Sequence, residues 1–339
     1  MENQQCHDPS SELDGAYLIY DTKEHSIYYN KDFYDHNACR ERIGMALLIA
    51  RYLQTHDDPA VHESLKQYVR FAFREFISEE TGEVFNSVGY DNSYFRLYNA
   101  PWAMMLMAEL YKLEGDVHYL DVLVKIVRKF YEQGGVKFYP NAVDIELLWS
   151  VLEEAKHPER AEVRSLFEAH VAHMLKIGLN YPRHEAIYEQ TIVTPAVTFI
   201  TQWGLLTGDK SYIDRVQEHL ECLLRFDGMQ PDYRLNEIPT RYWDDHWFGK
   251  SGIYADTLHY WSCLTADSFD SYYRLSGDET YRARAINCIR NCLCLFRADG
   301  AASCAYIIPY RVDSYAGEFY DDWANDQDFA LYYAMQLLK

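Results

Sequence analysis

"LTGDKSYID", residues 206–214, reads on its own as a tight turn between two helices. Its weight comes from two near-copies, "LEGDVHYLD" at 113–121 and "LSGDETYRA" at 275–283. In the shared pattern L-x-G-D-x-x-Y each residue has a local task. The Gly takes the left-handed position that ends a helix, where it meets no Cβ penalty. The Asp stands at the start of the next helix, where a carboxylate accepts from backbone N–H groups that lack helical partners. The Tyr comes three residues later and is expected to pack back. Each copy therefore predicts a helix–turn–helix, at Gly115 and Asp116, Gly208 and Asp209, and Gly277 and Asp278. "QTHDDPAVHE" at 54–63 and "EEAKHPERAE" at 153–162 predict the same kind of turn without the Gly-Asp pair. The spacing of these turns is too uneven for a solenoid.

The helices on either side of each turn differ. "NAPWAMMLMAELYKLEG" (99–115) and "TPAVTFITQWGLLTG" (194–208) are apolar nearly all round, which predicts burial on every side. Asn99 with Pro101, and Thr194 with Pro195, read as a cap followed by an early proline. "DKSYIDRVQEHLECLLRF" instead carries Ile213, Val216, Leu220, Leu223 and Leu224 on one stripe, the mark of a one-sided outer helix. Inner helices are expected to begin near residues 37, 99, 142, 190, 254 and 322, and outer helices near 60, 117, 159, 209 and 278. Inner helices ringed by outer ones make an all-α (α/α)6 toroid, here over residues 37–339. Residues 1–36 precede it, and "AYLIYDTKEHSIYYN" (16–30) alternates enough for a small β-hairpin. No sixth outer helix follows "ALYYAMQLLK". The ring is expected to be closed by the N-terminal segment, or the chain to be part of a longer protein.

Composition narrows the function. The 339 residues are 48% hydrophobic and 25% charged, as in a soluble globular protein. Aromatics reach 16%, with 30 Tyr, more than a core needs. Tyr and Trp suit a surface that is apolar on one face and hydrogen-bonding at the edge, and this favours a cleft for a ligand such as an oligosaccharide. A formal charge of −20 with no Lys/Arg-rich tract argues against nucleic acid. No apolar run of about 18 residues suggests a membrane span. The start, "MENQQCHDPSSELDG", lacks the apolar core of a signal peptide. The eight Cys are scattered, and the C-x3-C-x-C within "CIRNCLC" (288–294) is no recognised zinc spacing. A cytoplasmic protein is expected, periplasmic or secreted if a leader precedes the chain, with no metal and no cofactor. Oligomeric state is left open.

The helical hairpins, the L-[ETS]-G-D-x-x-Y turns and the long aromatic loops resemble the six-hairpin glycosidase superfamily over roughly residues 37–339. The resemblance implies the toroid and a carbohydrate substrate. The superfamily includes glycoside hydrolases, polysaccharide lyases share the toroid, and sugar 2-epimerases have a similar barrel. No family-specific catalytic motif matches, including that of the unsaturated-glucuronyl hydrolases, so the resemblance assigns no catalytic residue.

Inner helices that run the same way gather their N-termini, and the long loops, on one face. Loops on a rigid scaffold usually hold function. "FNSVGYDNSYFRLYNAPW" offers Tyr90, Asp91, Arg96 and Trp102, and "NYPRHEAIYEQT" offers Arg183, His184, Tyr188 and Glu189. "PTRYWDDHWFGKSGIY" carries Arg241, Trp243, Asp244, Asp245, His246 and Trp247, and the last loop carries Asp322 and Trp323. Aromatic faces stack on pyranose C–H faces, carboxylates accept from hydroxyls, and Arg can hold a uronate carboxylate by a bidentate pair. An inverting glycosidase needs two carboxyls about 6.5–9.5 Å apart. Asp244 or Asp245 with Glu189 are the candidates, with His246 as a general base or donor. Plainer roles compete. Asp322 reads equally as a helix cap, Trp102 as core, and Glu189 as solvated surface.

The leading expectation is a glycoside hydrolase on an oligosaccharide, possible uronic acid included. The alternatives are a polysaccharide lyase, with Tyr90, Tyr188, His184 or His246 taking the C5 proton, a sugar epimerase or isomerase, and a non-catalytic glycan-binding toroid.

Overall fold

The three repeated turns fold alike in the computed structural model. Gly115, Gly208 and Gly277 have φ of 72°, 67° and 81°. The Asp that follows each accepts, at 2.9 Å, the backbone N–H two residues on, at His118, Ser211 and Thr280. The Tyr packs back as expected in the third copy, where Tyr281 stands edge-on to Tyr272 at 4.6 Å between centroids. In the second copy Tyr212 presses on Gly204, where an added Cβ would lie 2.8 Å from the Tyr212 Cβ. The structure describes residues 3–30, 39, 42–139, 143–183, 190–227, 257–307, 319–320 and 322–338.

The described residues hold helices α1 (Ile43–Leu53), α2 (Pro59–Glu75), α3 (Asn99–Glu114), α4 (His118–Glu132), α5 (Ile145–Glu154), α6 (Arg160–Ile177), α7 (Gln190–Thr207), α8 (Tyr212–Arg215), α9 (Gln217–Leu223), α10 (Ser262–Ser276), α11 (Glu279–Cys292) and α12 (Asp328–Leu337). Helices α8 and α9 share one outer position, broken at Val216. The chain divides into two units, Met1–Tyr20 with His25–His170, and Asp21–Glu24 with Val171–Lys339.

In the first unit α1 packs on α2 and α3, and α3 on α4 and α5. Inner helix α3 buries every residue from Asn99 to Leu110. Outer helix α4 buries a stripe that includes Leu120, Leu123, Val127 and Phe130. Each such buried side chain contributes roughly 1.5–3 kcal/mol. The buried Glu109 on α3 takes Arg51 of α1 at 2.5 Å and Gln54 at 2.6 Å, which offsets the cost of burying its charge. The expected hairpin forms as β1 (Ile19–Asp21) and β2 (Ser26–Tyr28). The residues before it dock on α2, where Tyr17 stacks on Tyr68 at 4.7 Å and Gln5 donates to the Ser64 carbonyl at 2.9 Å.

In the second unit α10 packs on α7, α11 and α12. Helix α10 is buried without a break from Ser262 to Tyr272. Its seam with α7 is lined by small hydroxyl side chains, with Thr194 and Thr265 oxygens 3.0 Å apart and Gln190 donating to Thr265 at 2.7 Å. Gly204 lets α7 come close, since a Cβ there would meet Leu275 at 2.9 Å.

Several expected helix starts move. Helix α1 begins at Ile43 rather than near 37, because Arg42 has φ −114° and ψ 0°, outside the helical region. Helix α10 begins at Ser262 rather than near 254, because Thr257–His259 is strand β3. It pairs antiparallel with β4 (Ala305–Ile307), which pairs with β5 (Phe319–Tyr320). Helix α12 begins at Asp328 rather than near 322, after β6 (Trp323–Ala324). Thr, Tyr, Ile, Phe and Trp in these short runs favour extended backbone. Two expected caps also fail. Helix α7 starts at Gln190, so Pro195 lies inside it and Thr194 faces Thr265. Asn99 instead donates its amide to the Phe85 carbonyl at 2.7 Å.

Candidate functional site

The loop that enters α3 is the best described of those expected to carry function. It is tied to the C-terminal end of α2. The Tyr90 N–H donates to the Glu75 carbonyl at 2.8 Å, and the Gly89 N–H to the Glu75 carboxylate at 3.0 Å. Arg74 holds the other Glu75 oxygen at 2.6 Å. Ser87 and Asp91 form an isolated antiparallel bridge, and Asn92 accepts from the Asn86 N–H at 2.8 Å. Asn92 also donates to Glu83 at 3.0 Å.

Three of the sequence-predicted binding residues share this loop. Tyr90 is 42% exposed, has φ 55°, and donates its hydroxyl to the Phe73 carbonyl. Burial, then the charges of Glu79 and Glu75, hold that hydroxyl above its ordinary pKa. Asp91 is exposed and accepts from the Ser93 N–H at 2.7 Å. Arg96 stacks on Tyr98, with its guanidinium carbon 4.1 Å from the ring centroid, and lies 5.7 Å from the Tyr94 ring. Trp102, in the first turn of α3, is only 1% exposed and belongs to the core.

In the second unit, Arg183 is exposed at the end of its described segment. Asp322 caps no helix; its carbonyl accepts from the Thr22 N–H at 2.7 Å and the Thr22 hydroxyl at 2.8 Å. Trp323 is buried and donates to Asp21. His184, Tyr188, Glu189, Arg241, Trp243, Asp244, Asp245, His246 and Trp247 lie outside the described residues. Of these, residues 241–247 precede strand β3 in the chain. Thr257 pairs with Ile307, and Ile307 with Phe319. Thr257, Ile307 and Phe319 therefore lie side by side at one end of the sheet.

Two buried residues at inner-helix starts were not anticipated. Gln190 opens α7 and Gln327 precedes α12, and each has an amide oxygen without a hydrogen-bond partner. An unsatisfied buried acceptor costs roughly 1–3 kcal/mol. Nothing in the sequence separates such a Gln from an ordinary helix start. Among the described residues, no group of three or more His, Cys, Asp or Glu is placed to hold a metal ion. Cys263, Cys288 and Cys292 are buried, and burial pushes the Cys263 and Cys292 thiols well up, as for small hydrophobes. No described helix is long and apolar enough to cross a membrane.

No protein-family model and no curated protein matches the chain. Solved structures do. A polysaccharide lyase matches 99% of this chain and 51% of its own, at 38% identity and a TM-score of 0.91. The chain thus spans about half the length of that lyase. A cellobiose 2-epimerase from Spirochaeta thermophila matches over 99% of this chain and 92% of its own, at 14% identity and a TM-score of 0.63. A family 76 glycoside hydrolase from a bovine Bacteroides thetaiotaomicron strain matches over 99% and 75%, at 10% identity and a TM-score of 0.59. The last two share the fold alone, and all three are enzymes of carbohydrates. The repeated hairpins, the buried inner helices and these likenesses place the chain in the six-hairpin glycosidase superfamily, with its (α/α)6 toroid fold.

Proposed function

We propose that this chain belongs to a carbohydrate-active enzyme that cleaves a uronic-acid-containing glycan by β-elimination. The observation that carries the reading is the 38% identity, over 99% of this chain, to a polysaccharide lyase. In such a cleavage a base removes the proton at C5, next to the uronate carboxylate. The C4–O4 bond breaks, a C4–C5 double bond forms, and O4 takes a proton as it leaves. The carboxylate must be neutralised as negative charge grows on it, the task of Arg or Asn.

Arg183 and Arg241 are the cations to test for that task. For the base, Tyr90 drops out, since its hydroxyl is given to the Phe73 carbonyl and held above its ordinary pKa. His184, Tyr188 and His246 remain. The second reading is two-carboxylate hydrolysis by Asp244 or Asp245 with Glu189, favoured by the acidic, aromatic "YWDDHWFGK" (242–250).

Purified protein incubated with uronate-rich and neutral oligosaccharides distinguishes the two. Both reactions raise reducing ends, but only elimination gives ultraviolet absorbance from the new double bond. Reducing ends without absorbance would overturn the lyase reading, and no turnover of any uronate or neutral oligosaccharide would overturn both.

A further inference from the structure

The described residues expose six large hydrophobic side chains: Ile27, Tyr90, Tyr94, Phe95, Val117 and Leu338. Half of them fall in the six residues 90–95, on the loop that enters α3. Tyr94 is 41% exposed and Phe95 47%. Rings left in water so close together need a reason, since burying each would be favourable.

The residues on either side of Tyr94 and Phe95 are held in place. Tyr90 keeps φ 55°, a left-handed backbone that costs a bulky residue on the order of 1–3 kcal/mol. Its N–H on the Glu75 carbonyl and its hydroxyl on the Phe73 carbonyl fasten it to α2. The Tyr90 ring leans on Phe85 at 4.9 Å. Next in the chain, Arg96 is seated on Tyr98, which is itself edge-on to Phe138 at 5.1 Å. The guanidinium thus has a buried aromatic base and an exposed aromatic neighbour, Tyr94. Two exposed rings adjacent in sequence, with a multi-donor cation 5.7 Å from one of them, suit a pyranose, which presents a C–H face to a ring and oxygens at its edge.

We propose that Tyr94 and Phe95 form a stacking subsite for one sugar ring of a glycan chain, with Arg96 donating to that sugar's oxygens. This rests on the reading of the protein as carbohydrate-active. Size favours a sugar over a protein partner. Aromatic side chains bury about 150–250 Å² each, so two rings fall well short of the roughly 800 Å² per partner of a stable protein interface.

The test is calorimetric titration of the whole chain with oligoglucuronate, oligogalacturonate and cellohexaose, for the wild type, Tyr94→Ala, Phe95→Ala and the double variant. The double variant is expected to bind its best probe about tenfold more weakly or worse, with an unchanged melting temperature. Tyr94→Trp, with Phe95 intact, is expected to keep the affinity that Tyr94→Ala loses. Arg96→Gln is expected to weaken uronate probes more than cellohexaose, and equal weakening would remove Arg96 from the subsite. Wild-type turnover with unaltered affinity in the double variant would overturn the subsite and leave the lyase reading standing. Weakened binding with no turnover would do the reverse. A wild type that self-associates in sedimentation, with a monomeric double variant of unaltered glycan affinity, would make the patch an interface between copies and overturn the proposal.

Discussion

Trp323 donates its indole N–H to the carboxylate of Asp21 at 3.3 Å, across 302 residues of sequence. Both side chains are 1% exposed. The other Asp21 oxygen accepts the backbone N–H groups of Lys23 at 3.0 Å and Glu24 at 2.8 Å. Beside it, Thr22 donates twice to the Asp322 carbonyl. Four residues, Asp21–Glu24, thus group with the C-terminal unit although the chain on both sides of them groups with the other. Asp21→Ala removes a buried acceptor from three donors. It is expected to cost roughly 2–4 kcal/mol in urea unfolding at neutral pH, and Asp21→Asn about half as much. An unchanged midpoint for Asp21→Ala would mean that these hydrogen bonds add nothing to stability.

A second expectation concerns one of the two turns that lack the Gly-Asp pair. In "EEAKHPERAE" (153–162) Lys156 takes φ 52°, the place held elsewhere by Gly. His157 follows where Asp stands in the other copies. Its Nδ1 accepts from the Glu159 N–H at 3.3 Å, two residues on, and its Nε2 faces Asp121 at 3.1 Å. The turn is conserved in geometry but strained at Lys156, by about 1 kcal/mol for a left-handed non-glycine residue. Lys156→Gly is expected to raise Tm by about 2 °C. Gly277→Ala is expected to lower it by a similar amount, although nothing lies within 4 Å of the added Cβ, because the penalty is conformational. A Tm for Lys156→Gly at or below that of the wild type would show that Lys156 bears no such strain.

The turns explain why so much of the scaffold was legible. Gly115, Gly208 and Gly277 report a backbone angle that few other residues accept, so their chemistry is local and visible in the sequence. The all-round burial of α3 was equally plain, since "NAPWAMMLMAELYKLEG" has no polar face to offer water. The missed starts of α10 and α12 have a different origin. Strands β3, β4 and β5 are two or three residues long, and they exist because Leu258 finds Tyr306 and Tyr306 finds Tyr320. Such pairings join distant stretches and leave no periodic trace. Of the candidate site residues, only some fall among the described ones. Tyr90, Asp91 and Arg96 do share one loop, but Trp102 and Trp323 are core side chains. Tyr94 and Phe95 were passed over because an exposed ring and a buried one look the same in a sequence.

Stability should also depend on pH through His219. Burial in α9 lowers its pKa from 6.5 to about 4, and its Nδ1 lies 2.7 Å from the Tyr181 hydroxyl. Held neutral in the folded chain, His219 binds a proton on unfolding at any pH between those values. Its linkage term is therefore absent above about pH 6.5. As pH falls from 6.5 toward 4 it destabilises the fold progressively, by about 3 kcal/mol in all. His219→Gln is expected to be less stable than the wild type at pH 7, with a shallower loss of stability between pH 6.5 and 4. Urea unfolding at a series of pH values checks this. Parallel curves for the two proteins would rule out His219 as a source of the acid slope.

The choice between elimination and hydrolysis comes down to which side chains cannot be spared. Elimination depends on a base of suitable proton affinity and on a cation for the uronate, so His184→Ala, Tyr188→Phe or His246→Ala should include the base. Losing a general base typically costs about 10²–10⁴ in rate. Arg183→Lys or Arg241→Lys should lose less than the Ala variants, because Lys keeps the charge and loses the bidentate fork. Asp244→Asn, Asp245→Asn and Glu189→Gln should then keep most of the ultraviolet-absorbing product. Under hydrolysis the pattern inverts, with two of those carboxylate variants abolishing reducing-end release and no absorbance at any stage. Melting curves for each variant separate lost chemistry from lost folding. A carboxylate pair that is indispensable, together with a product that does not absorb, would overturn the elimination reading. It would return the acidic run "YWDDHWFGK" to the centre of the reaction.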